Sequence, residues 1–181
     1  MSATATQKTI SPEILKAKIQ TLAAQTLETD VVRLLTKRKE TLALAESCTG
    51  GLIAHRITNV PDASKIFPGG IVAYSNGVKE KFLGVRPETL SKHGAVSEAV
   101  AREMAEGARK KFGADFAIAV TGIAGPGGGT KAKPVGTVFM ALAGAFGTIA
   151  ERKLNPFGRE QCKRVAAEQA LKMLLLRLVA P

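Results

Sequence analysis

The chain has 181 residues, of which 45% are hydrophobic and 23% are charged. This composition excludes a disordered or fibrous protein, and the length suits one domain with its own core. The 26 Lys and Arg residues outnumber the 15 Asp and Glu residues and give a formal net charge of +11, which favours anionic partners. Because the basic residues are dispersed, we interpret the excess as a solvated surface and expect no nucleic-acid partner.

The two cysteines, Cys48 and Cys162, are too few for a disulfide framework or a cysteine-rich metal site. The N-terminal sequence lacks the apolar core of a signal peptide, and the apolar run at residues 171–180 is too short for a membrane span. We therefore expect a cytoplasmic protein with no membrane partner.

Taken in chain order, residues 1–10 are expected to form a flexible tail and residues 11–181 a single domain. Ser11 and Pro12 are typical of a helix start, and apolar residues then recur at helical spacing through the segment 11–40. This pattern predicts one long helix, or two helices with a break near residues 26–29.

The remainder of the chain alternates between strand-like and helix-like patterns. Strand-like segments are 41–46, 69–75, 114–122 and 137–155, the last as two strands or one bent strand, and helix-like segments are 49–60, 76–84, 97–113 and 158–179. This alternation predicts an α/β fold: a single layered domain with a central, mostly parallel sheet flanked by helices.

Polar residues follow three of the predicted strands. They are Ser47, the segment 74–76, and the pair Thr121 and Gly122. If these strands are parallel, their carboxyl ends lie at one edge of the sheet, where ligands collect in α/β proteins. The sequence therefore predicts a pocket built from segments that are far apart in the chain.

Ser47 is the candidate nucleophile of this pocket. A serine at a strand-to-helix turn can project its hydroxyl from the sheet edge, and the amides of residues 48–51 are placed to bind an oxyanion. Two alternatives remain open: Ser47 or Thr49 only caps the helix, or Cys48 is the nucleophile.

A serine nucleophile needs a base, and the two histidines, His55 and His93, have no spacing that favours a triad or a metal site. Lys79 lies five residues after Tyr74, so one turn and one helical turn can return both side chains to the Ser47 edge. Desolvation can make a lysine neutral enough to accept a proton. The alternative is that Lys79 is a solvated charge and Tyr74 an ordinary strand residue.

The glycine-rich segment 122–136 resembles phosphate-binding loops only in composition. It lacks the Lys-Ser/Thr ending of a P-loop and the third glycine of a dinucleotide-binding motif. It can be a set of amides that approaches a ligand, or a long surface connection.

Five motifs occur together in order: AESCTGG at 45–51, YSNGVK at 74–79, HGAVSE at 93–98, TGIAGPGGG at 121–129 and KPVGTV at 133–138. Together they closely resemble the CinA C-terminal domain family, over nearly the whole chain. Members of that family are nicotinamide-nucleotide amidohydrolases, which convert nicotinamide mononucleotide to nicotinate mononucleotide and ammonia. The resemblance implies a stand-alone form of this amidohydrolase domain.

By this resemblance, Ser47 is the nucleophile, Lys79 the general base and Tyr74 a residue that orients or relays the proton, with no metal or organic cofactor. Alternative functions are a non-catalytic module that binds nucleotides or nucleic acid, and an amidase for another small carboxamide. We also expect a homo-oligomer. The predicted substrate-binding residues are Thr49, Gly50, Asn76, Thr121, Gly122, Gly125 and Lys133.

Overall fold

The computed structural model describes residues 26–179, which form one α/β domain around a five-stranded sheet. A single 3₁₀ turn, Ala63–Lys65, accompanies the longer elements. The helices are α1 (Leu27–Arg38), α2 (Leu52–Thr58), α3 (Asn76–Leu83), α4 (Pro87–His93), α5 (Glu98–Phe112) and α6 (Arg159–Val179), and the strands are β1 (Leu42–Glu46), β2 (Gly69–Val72), β3 (Phe116–Gly122), β4 (Thr137–Gly144) and β5 (Gly147–Leu154).

The sheet is mixed, with the strand order β2-β1-β3-β4-β5. Strand β1 pairs in parallel with both β2 and β3, whereas β4 is antiparallel to β3 and to β5. Four of the five strands therefore point in one direction, with β4 the exception, and the predicted α/β architecture is confirmed. Strands β4 and β5 are antiparallel because a two-residue hairpin loop joins them, and such a loop cannot connect parallel strands.

The two faces of the sheet carry side chains of different size. One face presents large apolar residues such as Leu44, Ile118 and Met140, which share a buried cluster with residues of α1, α2 and α6. The opposite face is rich in alanine, as at Ala117 and Ala119, and packs against α5. Small side chains let α5 lie close to the sheet, and two separate core layers result.

Helix α5 also contacts α3 at a very short distance. A Cβ atom on Gly107 of α5 would lie 1.8 Å from the carbonyl oxygen of Leu83, at the end of α3. Only glycine fits there, so the position of α3, which carries Lys79, depends on this contact.

Most predicted elements are found, with some differences in bounds. Helix α1 begins after Thr26, at the predicted break, while the predicted tail at 1–10 and the helix start at Ser11 lie outside the described residues. The segment 137–155 forms two strands. Helix α4 was not predicted, because Leu90 is its one aliphatic side chain and a single position shows no period.

No helix within residues 26–179 combines the length and the apolar character needed to cross a membrane.

Candidate active site

The carboxyl ends of β1, β2 and β3 lie side by side, as the sequence predicts. Glu46, the last residue of β1, is in register with Val72 of β2 and Val120 of β3. The amide of Ser47 donates to the carbonyl of Val120 at 2.9 Å, and the amide of Ala73 donates to that of Glu46 at 2.7 Å. These bonds extend the ladder by one residue and hold the Ser47 backbone at the sheet edge.

The side chains of Ser47 and Lys79 meet at this edge. The Nζ atom of Lys79 lies 3.0 Å from the Oγ atom of Ser47 and donates a second hydrogen bond to the carbonyl oxygen of Ala73 at 2.6 Å. Ser75 positions the lysine, because its hydroxyl accepts the Val78 amide and starts α3 immediately before it. Ser47 and Lys79 are 32 positions apart in the chain.

The Lys79 side chain is buried and has no counter-charge within residues 26–179. Only 1% of the residue is exposed, and no carboxylate within residues 26–179 forms an ion pair with it. Burial holds the pKa of the Lys79 ammonium below its usual range, because desolvation disfavours the charged form. The solvated-charge alternative for this residue is therefore wrong.

The N-terminus of α2 is capped by Glu46, which is 2% exposed. Its Oε2 atom accepts the amides of Gly51 at 3.0 Å and Ile53 at 3.1 Å, and its Oε1 atom accepts the amide of Ala54 at 2.8 Å. This carboxylate neutralises the positive end of the helix and fixes the turn that carries Ser47. Neither Ser47 nor Thr49 caps α2, so that alternative reading is wrong.

This capping corrects the predicted set of oxyanion donors. Of the amides of residues 48–51, that of Gly51 is used by Glu46, and that of Gly50 donates to the Ser47 carbonyl at 3.1 Å. The amides of Cys48 and Thr49 have no acceptor within residues 26–179. Only these two amides in the turn are free to bind a developing oxyanion.

A cavity of about 220 Å³ opens over the Ser47–Lys79 pair. This volume is below the usual size of a small-molecule pocket, so it suits the reacting end of a ligand whose other end extends outside. It is lined by Ser47, Cys48, Tyr74, Asn76, Lys79, Ala95, Val96, Thr121, Gly122, Ala124 and Arg159.

Tyr74 lies at the mouth of this cavity and is 61% exposed. Its hydroxyl accepts a hydrogen bond from Arg159 at 2.8 Å, and no hydrogen bond joins it to Ser47 or Lys79. The second terminal nitrogen of Arg159 donates to the Gly125 carbonyl at 2.8 Å. In this structure the Tyr74 hydroxyl orients the guanidinium of Arg159 and makes no hydrogen bond to the Ser47 hydroxyl.

The predicted substrate-binding residues fall into two groups. Asn76, Thr121 and Gly122 line the cavity, and the Thr121 hydroxyl donates to the Ala95 carbonyl at 2.9 Å, which ties two walls together.

The others do not line it. Gly125 only presents its carbonyl to Arg159, and the ammonium of Lys133 donates to the His93 carbonyl at 2.8 Å. Thr49 is fully buried, and its hydroxyl has no partner within the described residues, while Gly50 lies on the outside of the turn.

The remaining candidate nucleophile and bases lack a suitable environment. Burial raises the pKa of the Cys48 thiol to about 12, so the thiolate is scarce at neutral pH. His55 and His93 do not line the cavity. Within residues 26–179, no three His, Cys, Asp or Glu side chains are grouped to hold a metal ion.

Sequence reasoning missed Glu46 and Arg159. Glu46 carried a usable signal, because an acidic residue at a sheet edge, six positions before a helix start, can reach the free amides of that helix. Arg159 carried none: it lies 85 residues from Tyr74 and resembles any other basic residue of the last helix.

Comparison with known proteins gives one consistent family. The model of the CinA C-terminal domain matches residues 24–178. The chain is 52% identical over 156 residues to a CinA-like protein of Anaeromyxobacter sp. and 52% identical over 158 residues to one of Chlorobaculum tepidum, matches that cover 86% and 84% of the chain. They cover only 38% and 37% of those longer relatives.

Solved structures of similar size share the fold. A competence/damage inducible protein from Agrobacterium tumefaciens has a TM-score of 0.82 and 40% identity, and the match covers 85% of this chain and 94% of that one. A competence damage-inducible protein from Klebsiella pneumoniae has a TM-score of 0.81 and 39% identity, covering 84% and 94%.

Proposed function

The chain belongs to the CinA C-terminal domain family, and from this premise we propose that it hydrolyses the amide of nicotinamide mononucleotide to nicotinate mononucleotide and ammonia. The observation that carries the proposal is the 3.0 Å contact between the Ser47 hydroxyl and the buried Lys79 amine. A serine beside a desolvated lysine is an activated nucleophile, and an unactivated carboxamide needs one.

In the first half-reaction, the neutral Lys79 amine accepts the hydroxyl proton as the Ser47 oxygen attacks the carboxamide carbon. The amide of Cys48, which lines the cavity, stabilises the resulting oxyanion, and such a donor contributes about 3 to 4 kcal/mol in comparable sites. Lys79 then gives the proton to the amide nitrogen, the carbon–nitrogen bond breaks, and ammonia leaves. An ester joins the substrate acyl group to Ser47.

In the second half-reaction, water attacks the ester carbon while Lys79 accepts a proton from it. The bond between the carbon and the Ser47 oxygen breaks, and Lys79 returns the proton to that oxygen. The product is a free carboxylate, and the enzyme is restored. One base thus serves both steps, and Lys79 is the group of the cavity lining that donates to the Ser47 oxygen.

The shape and charge of the site favour a nucleotide over a simple amide. The cavity admits the carboxamide-bearing ring, while the ribose and phosphate extend past Tyr74. Arg159 lies there with two of its five N–H groups used, so it has donors left for a phosphate. Arg159, rather than the predicted substrate-binding residue Lys133, is our candidate for the phosphate, because Arg159 lines the cavity and Lys133 does not.

The proposal includes the cellular location of the protein and its oligomeric state. Both cysteines are free and buried, which suits a reducing, cytoplasmic location. Exposed Leu176 and Val179 on α6 are candidates for contact between copies in a homo-oligomer. Size-exclusion chromatography with light scattering tests directly whether the protein is a homo-oligomer.

The test is ammonia release from nicotinamide mononucleotide by the wild type, by Ser47→Ala and by Ser91→Ala. Ser91 is an exposed serine of α4 and serves as the matched control. We expect release by the wild type and the control only. Release from another small carboxamide instead would favour an amidase of different substrate, and salt-sensitive binding of polynucleotide without any release would favour the binding module.

A further inference from the structure

A second cation lies beside the Ser47 turn, outside the cavity. Lys163 follows Arg159 by four residues on α6, so the two side chains share one face of the helix, with their Cβ atoms roughly 5 to 6 Å apart. The Lys163 ammonium lies 3.6 Å from the point where a Cβ atom on Gly50 would be. Arg159 is oriented toward Tyr74 and Gly125, and Lys163 toward the turn.

Lys163 is half-buried and unpaired, which distinguishes it from the adjacent Arg164. No carboxylate or other acceptor within residues 26–179 contacts its ammonium. Arg164, the next residue, is exposed and forms an ion pair with Glu160 at 2.6 Å. An unpaired ammonium has all three of its N–H donors available for an anionic ligand.

The end of α2 beside the turn is not available to a phosphate. The Glu46 carboxylate already occupies the amides of Gly51, Ile53 and Ala54. Since Cys48 is assigned to the oxyanion, a ligand phosphate at this edge relies on side-chain cations. Gly50 has no side chain and is exposed, so it leaves the approach to Lys163 open.

We propose that Lys163 is a specificity-determining residue, which binds the substrate phosphate together with Arg159 and selects the mononucleotide over its nucleoside. This inference rests on the proposed function for the identity of the substrate, but the cation pair recognises any phosphate monoester placed over the turn. Lys163 contributes to binding and takes no part in proton transfer.

The test compares Lys163→Met with Arg164→Met, its neighbour of equal charge. For Lys163→Met we expect KM for nicotinamide mononucleotide to rise about tenfold, with kcat unchanged and with no change for nicotinamide riboside, which lacks the phosphate. Arg164→Met is expected to behave as the wild type, and Lys163→Arg to retain most of the preference for the phosphorylated substrate.

A second readout keeps this inference separate from the amidase proposal. Ribose 5-phosphate contains the phosphate but no amide, and its binding is measured by calorimetry on the full chain. Weaker binding by Lys163→Met than by Arg164→Met supports the phosphate site even if the wild type releases no ammonia. Equal binding by both variants, or an equal loss of activity toward mononucleotide and riboside, overturns it.

Discussion

The two ends of the sheet differ in the volume of their cavities and in the exposure and pairing of the charged side chains that line them. The end opposite Ser47 has larger cavities, of about 400 and 650 Å³, lined in part by Arg38, Arg109 and Asp115. Its charges are exposed or paired with neighbouring groups, as in the Arg109 bond to the Asp115 carbonyl. The cavity over Ser47 is smaller, although one of about 730 Å³ adjoins it at Arg159, and it contains a buried amine that forms no ion pair within residues 26–179. Desolvation, rather than volume, marks the reactive end.

The largest expected effect comes from removing either reacting side chain at the Ser47 end. Ser47→Ala and Lys79→Ala should each lower kcat for ammonia release at least about a thousandfold, because nucleophile and base act as one unit. The matched change at the opposite end, Arg109→Ala, should leave kcat unchanged. A large loss in Arg109→Ala with full activity in Lys79→Ala would reverse the assignment of the two ends.

The dependence of the rate on pH sharpens the same contrast. The active form of Lys79 is the neutral amine, so kcat/KM should fall about tenfold per pH unit as the pH drops below the pKa of this group. Since burial lowers that pKa, the midpoint should lie below the ordinary lysine value of about 10.4. Rate profiles from pH 6 to 10 measure it. A profile that is flat over this range in the wild type would remove Lys79 as the base.

Two carboxylates, one at each end of the sheet, allow the contribution of each end to the free energy of unfolding to be compared. Glu46 is buried and accepts three amides, whereas exposed Asp115 accepts the amide and hydroxyl of Thr41. Glu46→Gln should lower the free energy of unfolding by about 2 to 3 kcal/mol, since buried amides lose their acceptor, and Asp115→Asn by about 1 kcal/mol or less. Urea unfolding gives both values.

The same two variants separate stability from activity. Glu46→Gln is expected to lower kcat at temperatures where it is fully folded, because the turn that positions Ser47 loosens, while Asp115→Asn keeps the wild-type kcat. Full activity in folded Glu46→Gln would show that the carboxylate only stabilises α2.

The smallest effect is expected for the thiol next to Ser47. With its pKa raised to about 12, Cys48 should not react with a disulfide reagent at pH 8 in the native protein, and both cysteines should react after unfolding. A fast-reacting thiol in the native state that maps to Cys48 would restore cysteine as the candidate nucleophile.

Much of the fold was predictable because its signals are local. The apolar run of β3, and the Ser97 start and Gly113 end of α5, each depend on residues within a few positions of one another. The shared edge that carries Ser47 followed from the condition that the three strands are parallel, which the structure confirms. Helix α4 and the antiparallel pairing of β4 were missed, since short elements and strand direction leave weak local patterns.

The site was predictable only in part. Ser47 and Lys79 stood out because strand ends and turn residues mark them, and their contact confirms that both lie at one edge. The placement of Lys133 and of Gly125 could not be foreseen, because a long glycine-rich loop has many conformations of similar energy. Glu46 illustrates the opposite case, where a local capping rule existed but was not applied.

The sequence by itself determined the order and type of most elements and the α/β class, and it singled out the two residues that we propose to react, since these depend on periodicity and turn chemistry over short spans. Only the tertiary structure decided that Lys79 is desolvated, that Tyr74 binds Arg159, and that Lys163 faces the Ser47 turn. These relations join residues from 32 to more than 100 positions apart. Burial and long-range contacts arise from the packing of whole elements, and no short stretch of sequence encodes them.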